Sequence, residues 1–541
     1  MQSISGIVTQ THSTKGDIPP PLVGSSISVV GDQVFVFAGR LVTSRKMTNH
    51  LYVLDLKSLV WSRHIPPPDS EKAPKPRYFH SVNVYGRLLV VFGGMGYSRQ
   101  SADGLCVLDD VAIFNINTMT WKQPAIQPSL FAPRPRYAHL ATISAGQLLV
   151  VGGQDMNNGY LSESNVLDLE SLEWVKATTF EQHVGAYRSV AVATPSEVLH
   201  LSGLSSEAQL LADKPGPIFL YSNHNFANVN RDLKIITEAT HSTVDDAPIG
   251  KRNHHLSIDD ISHMMTGSIM PPGLRFPTGD CIGQHIVIAG TYLSPQSQSY
   301  SIWGLNTATL TWTRVDTGSI FTQGSWNRGI LYAKQNRYLV FGNSSRNLLE
   351  DYNHRQINFD HLAMVDLESF GIYQHPPSNC AQLAQEMGLR LLDEPSIADF
   401  YILTRENQEI PVNSAVIRYR WPYFAKILDE ARNADQYISD ELSMVFPYPY
   451  PVVVAFLQFL YTDSLLTAQQ YQPHILSQLL LLGDMYSLPR LVSLSRHALH
   501  QMLNMSTAPL IFETAALSHQ ISLQIRALKL MIAAKKMIQH Q

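Results

Sequence analysis

Two histidines occupy matching places in two near-identical stretches. PRYFHSVNVYGRLLVVFGG at 76–94 and PRYAHLATISAGQLLVVGG at 135–153 carry His80 and His139, each 14 residues before the last glycine. An imidazole can ligate a metal or move a proton, but a metal centre needs three or four ligands, and no third ligand shares this spacing. Both histidines therefore read as hydrogen-bonding partners between strands. The run HHLSIDDISH at 254–263 also gathers ligand types, but no helical frame makes them converge, so it reads as solvated side chains. Cys106, Cys281 and Cys380 lie far apart with no CxxC spacing. The chain has no GxSxG elbow, P-loop or HExxH helix, so no catalytic set, cofactor or metal is expected.

Composition narrows the class further. A chain of 541 residues, 45% hydrophobic, has room for two or more globular domains. Forty Lys and Arg against 44 Asp and Glu give a formal charge of −4, which argues against nucleic acid as the partner. The N-terminus MQSISGIVTQ lacks a secretory pattern, and with so few cysteines a reducing, cytoplasmic setting is expected, with access to membranes or nucleus through partners. The longest apolar run, LLLLG at 479–483, falls far short of the roughly 18 residues of a membrane span.

The doubled stretch belongs to a longer series. Gly-containing pairs end strand-like runs at Ala38-Gly39, Gly93-Gly94, Gly152-Gly153, Ser202-Gly203, Ala289-Gly290 and Gly342-Asn343, about fifty residues apart except for one gap of 87. Four units then continue to a tryptophan: DLKSLVW at 55–61, NINTMTW at 115–121, DLESLEW at 168–174 and NTATLTW at 306–312. Runs such as LLVVF suit inner strands buried on both faces. The glycines allow tight turns and close backbone approach. The Asp or Asn six residues before each Trp suits a turn, and Trp61, Trp121, Trp174 and Trp312 would fill the wedge toward the rim.

A period near fifty with a glycine pair and a downstream Trp is the kelch signature of a β-propeller. First strands near Pro21, Pro76, Pro135, Tyr187, Phe276 and Trp326 predict six blades, with blades four and six degenerate. Segment 1–20 can supply a closing strand. The propeller is placed at 21–375, with a polar, mobile insertion at about 230–275 that is long enough to hold a seventh blade instead.

Beyond residue 375 the apolar period shifts from 2 to 3.6. Asp399 opens a strand, a second strand leads to Asn413, Tyr423-Phe424 fall in a helix, and FLYTD (459–463) and LLLGDMYSLPRL (480–491) follow. This α+β pattern resembles a BTB/POZ domain, placed at 383–503, with partial BACK-like helices at 504–541. It departs from the family at Asn413, where a His is usual. Kelch before BTB resembles the leucine-zipper-like regulators and a fungal group linked to Ras-type small GTPases.

The resemblance implies a non-enzymatic protein-interaction adaptor that forms a homodimer through BTB. Its propeller would recognise a protein, and its BTB would engage cullin-3 in a ubiquitin ligase, with Leu428 and Glu430 of a hydrophobic-x-Glu pattern as the contact. The alternative is a cullin-independent scaffold in Ras-type GTPase signalling or cell polarity, the partner being the GTPase or its regulator. A copper-radical oxidase of the kelch type would need paired Tyr and His ligands that the three cysteines do not accompany. Kelch partners meet the loops after the glycine pairs and before the first strands. Those positions hold Arg40, Arg45, Lys46, Tyr97, Arg99, Asp155, Asn157, Tyr292 and Arg346, a set suited to an acidic or phosphorylated segment.

Overall fold

The computed structural model describes residues 4–99, 104–195, 216–226, 228–239, 255–433 and 443–539. The chain divides into a β-rich unit, 1–367 with 372–374, and a helical unit, 368–371 with 375–541.

Among the described residues, six sheets, antiparallel but for one short parallel pairing, make up the first unit. Blade three shows the pattern: Leu140–Ser144, Gln147–Val151, Glu163–Asp168 and Glu173–Thr179 pair in chain order. The second strand of each blade is buried on both faces because alternate residues serve alternate neighbours. In blade one, Val34 and Val36 pack with Leu339, Phe341 and Phe359 of blade six. Phe35 and Phe37 pack with Leu89, Val91 and Phe114 of blade two. Burying such strands on both sides stabilises the unit by roughly 1.5–3 kcal/mol per large aliphatic or aromatic side chain.

The turn before each tryptophan repeats closely. Asp55, Asn115, Asp168 and Asn306 accept hydrogen bonds from the backbone N–H groups two and three residues on. Leu59, Met119, Leu172 and Leu310 then turn through φ of 52–57°, and Trp61, Trp121, Trp174 and Trp312 lie buried in the inter-blade clusters.

The glycines do different jobs. Gly39, Gly93, Gly94, Gly152 and Gly153 have positive φ, whereas Gly290 and Gly342 do not and serve close approach instead. A Cβ on Gly342 would stand 2.2 Å from the Ser325 carbonyl oxygen.

Blade four corrects the sequence reading. Its strands are Ser189–Ala193, Ile218–His224, Asn230–Ala239 and His255–Asp260. The expected insertion at 230–275 therefore contains its third and fourth strands, and the HHLSIDDISH run contributes to the fourth. Ala193 pairs with Ile218 and Ala239 with His255, so the extra length falls between the first two strands and between the last two, and displaces the fifty-residue period. Gly203 lies outside the described residues. Ser222-Asn223 takes the place of the glycine pair, and the Asn223 amide donates to the Arg188 and Leu274 carbonyl oxygens.

Blade six lacks the Trp turn because its outer strand comes from the other end of the chain. Thr9–Ser13 pairs with His361–Asp366, and Lys15–Gly16 then runs parallel to Val60–Trp61 of blade one.

In the helical unit, Phe400–Leu403 pairs with Glu409–Val412 and, in parallel, with Ser443–Val445. Helices Ser414–Arg420, Pro422–Asn433, Tyr450–Thr462, Pro473–Met485 and Pro489–Gln501 follow, then Ala508–Leu517 and Ile521–Gln539. Asn413 caps the first of these, accepting from the Ala415 and Val416 N–H groups, while its own N–H donates to the Tyr461 hydroxyl at 2.8 Å. Trp421 sits at the centre, its ring within 6.1 Å of those of Phe424, Phe446, Phe456 and Tyr486.

Candidate functional site

The six inner strands surround a cavity of about 550 Å³. An inner strand has one edge with no strand beside it, and its backbone groups need other partners. Side chains at one level of neighbouring blades supply them. The Asn83 amide donates to the Ala141 oxygen at 3.0 Å, Ala193 N–H to Thr142 Oγ1 at 3.2 Å, and Leu331 N–H to Asp280 Oδ2 at 3.3 Å. Nearer the loops that follow the glycine pairs, His80 Nε2 meets Ser26 Oγ and His139 Nε2 meets Ser81 Oγ. Burial, with Arg136 adding to it, pushes the His139 imidazolium down to about 3, and burial depresses His80 as well. Both rings are therefore neutral inter-blade links.

Burial also raises the Asp280 carboxyl to about 6, against the Leu331 N–H and Arg328, which favour its charged form. The fold thus holds a proton that the unfolded chain, near 3.8, releases earlier. Stability falls as pH rises from about 4 to about 6 and is flat above that. Asp280→Asn keeps an acceptor for Leu331 and should stabilise the protein at pH 7 by roughly 2–3 kcal/mol, with no gain at pH 4. Urea titrations at both pH values check this.

At the mouth of the cavity, arginines lie over aromatic rings. The helix Leu348–His354 and the short strand Gln356–Ile357 are inserted between the second and third strands of blade six, and that strand pairs with Leu22–Val23 beside blade one. Between them Arg355, at φ 54°, places its guanidinium carbon 5.7 Å from the Phe79 ring and 5.8 Å from that of Phe276. Arg275 lies 4.4 Å over Phe226 and 5.7 Å from Tyr352. Arg40 lies 5.2 Å over Tyr78. The Tyr187 and Tyr352 hydroxyls meet at 3.1 Å. None of these three guanidiniums has a carboxylate within ion-pair distance among the described residues.

The residues expected on this face separate into three groups. Arg40 joins the aromatic array. Arg45, Lys46, Arg99 and Asn157 are exposed, and Tyr292 is half-buried. The others are engaged in the fold. Arg346 grips buried Asp351 through Nε at 2.9 and 3.1 Å and Nη2 at 2.6 Å, Asp155 accepts from Asn157 and Gly159 in its own turn, and the Tyr97 hydroxyl accepts from Met47 N–H of blade one. In the helical unit Leu428 is 8% exposed and belongs to the core, which corrects its reading as a partner contact. Glu430 is exposed and lies 3.8 Å from Lys426.

Sequence reasoning missed Arg275 and Arg355, and it missed two buried arginines that the repeated PRY would have revealed. Arg77 donates to Gly93 O at 3.0 Å and, through both terminal nitrogens, to Asp110 at 2.9 and 2.6 Å. Arg136 donates to Gly152 O at 3.1 Å, Asn165 Oδ1 at 3.1 Å and Glu163. Each guanidinium locks its blade's glycine turn to the third strand.

Six four-stranded blades and a helical unit built on an α+β core define a kelch propeller joined to a BTB/POZ domain. Residues 7–204 match the KLHDC2/KLHL20/DRC7 Kelch-repeats domain, and 389–503 match the BTB/POZ domain. Over an alignment of 585 residues the chain is 30% identical to Protein ral2 of Schizosaccharomyces pombe, spanning 98% of this chain and 95% of that protein. It belongs to the same family. More distant similarity extends to mouse Kelch domain-containing protein 1, 25% identical over 52% of this chain and 75% of the relative. Among solved structures, that of YjhT is 14% identical at a TM-score of 0.40, covering 64% of this chain and 94% of that one. Among the described residues no helix is long and apolar enough to cross a membrane.

Proposed function

We propose that this protein is a non-enzymatic adaptor whose propeller mouth holds an acidic segment of a protein partner and whose BTB unit pairs two copies. The observation behind the first part is the array of Arg40, Arg275 and Arg355, stacked on Tyr78, Phe226, Tyr352, Phe79 and Phe276 with no carboxylate among the described residues paired to any of them. Stacking fixes each guanidinium; Arg275 Nη1 also donates to the Leu293 carbonyl oxygen at 3.2 Å, and the N–H groups not so used can meet a carboxylate or phosphate. The order kelch before BTB and the kinship with Protein ral2 along nearly the whole chain support placing the adaptor in Ras-type GTPase signalling. Cullin-3 recruitment is the weaker reading, since Leu428 of the expected contact is core.

Proximity labelling with the full chain and an Arg275→Glu, Arg355→Glu double variant tests the face and the partner together. Losing two charge-assisted contacts of about 1.5 kcal/mol or more each should weaken the partner by roughly two orders of magnitude. A folded double variant that keeps every partner would overturn the face. Absence of any Ras-family protein or regulator from the parent's partners would overturn the GTPase placement, and cullin-3 among them would favour the ligase reading.

Pairing is assigned to the helix Gln382–Leu392. Its Gly388 faces the Tyr461 carbonyl oxygen, while Leu383, Met387 and Leu391, four residues apart, are 68%, 54% and 43% exposed. Leu383→Asp with Met387→Asp should convert a dimer of the full chain to a monomer in light scattering at micromolar concentration. A parent that is already monomeric would remove the assignment.

A further inference from the structure

Most polar side chains on the cavity wall have work within the fold. Asn83, Thr142 and Asp280 satisfy the edges of the next blades, and the neutral His80 and His139 bind serines. Arg328, on the inner strand of blade six, makes no such contact. It lines the cavity, its Nε is buried without a partner, and no carboxylate or other protein acceptor meets its guanidinium among the described residues. A cation held away from bulk water with no hydrogen-bonded counter-charge is costly. Asp280 of blade five and His80 of blade two are among the groups that feel its charge.

We infer that the axial cavity binds a small monocarboxylate, with the Arg328 guanidinium as its anchor. The planar fork of an arginine matches a carboxylate, and about 550 Å³ lies in the range of small-molecule sites. Asp280 on the same wall disfavours a dianion such as a phosphate monoester. Arg355 at the mouth adds a positive field that draws anions inward, and its seat between Phe79 and Phe276 narrows the entrance for anything bulkier. This ligand site stands independently of the adaptor reading.

The probe is 13C-acetate, titrated into the full chain at pH 7 in low chloride and followed by its NMR line width. Saturable broadening is expected, with acetamide failing to compete and sulfate dianion competing more weakly than acetate. Arg328→Gln should weaken acetate by about ten-fold or more, the loss of one charge-assisted contact. Asp280→Asn, which removes a like charge, should tighten it several-fold. No saturable binding by the parent, equal competition by acetamide, or unchanged affinity in a folded Arg328→Gln protein would each overturn the site. Where Arg328→Gln does not fold, Asp280→Asn decides, and acetate affinity that is unchanged or weaker in that variant overturns it.

Discussion

Arg136→Met is expected to destabilise the propeller by about 3–5 kcal/mol, the cost of removing one partner from a buried ion pair. The side chain is fully buried, and burial pulls its guanidinium down only to about 10, so it remains charged in the fold. Its loss leaves the Gly152 carbonyl and Asn165 Oδ1 without their donor and Glu163 without its cation. Methionine approximates the volume but supplies no N–H, and lysine offers a point charge in place of a fork, so Arg136→Lys should recover less than half of the loss. Urea denaturation of the full chain, followed by far-UV circular dichroism, measures both. A cost below 1 kcal/mol for Arg136→Met would show that the turn holds its shape without the clamp.

Trp421→Ala should cost the helical unit about 3–5 kcal/mol through the cavity it leaves. The indole contacts four aromatic rings contributed by four different segments, so the neighbours cannot collapse into the space without moving the three-stranded sheet or the helices. Its Nε1 has no hydrogen-bond partner among the described residues, so Trp421→Phe sacrifices volume alone and should cost less than half as much. In calorimetry of the full chain, the Ala variant should lower the transition of the helical unit and leave that of the propeller in place. Equal costs for Ala and Phe would assign the effect to the lost polar atom.

The sequence carried the repeat wherever a local rule produced it. Asp or Asn six residues before Trp is a complete turn instruction, and an apolar run ending in glycine is a complete instruction for a strand buried on two sides. The later strands of blade four escaped because their identity depends on pairing: Ile218–His224 bonds to Ser189–Ala193 across a long connection, and a one-dimensional period cannot distinguish a long hairpin from a new repeat. The mouth of the cavity escaped for a related reason. Arg355 lies on an insertion outside the repeat frame, and its aromatic partners come from blades two and five. Arg346 matched the expected position, but only the fold brings Asp351 under it. The PRY arginines were visible twice, and their burial follows from the glycine carbonyls they face.

The joint between the chain's two distant stretches sets an order of events in time. Thr14 Oγ1 donates to the Phe359 carbonyl oxygen at 2.7 Å across a separation of 345 residues, and Thr9–Ser13 has its partner only in His361–Asp366. Thr9–Ser13 is thus made long before its partner. At about 5–20 residues per second, it waits roughly 20–70 s while the five following blades and most of the sixth are made. Throughout that interval the nascent propeller is an open arc with unpaired strand edges at both ends. Closure of the ring, with its large loop entropy, is therefore the step at which the nascent chain either completes itself or pairs with a neighbour.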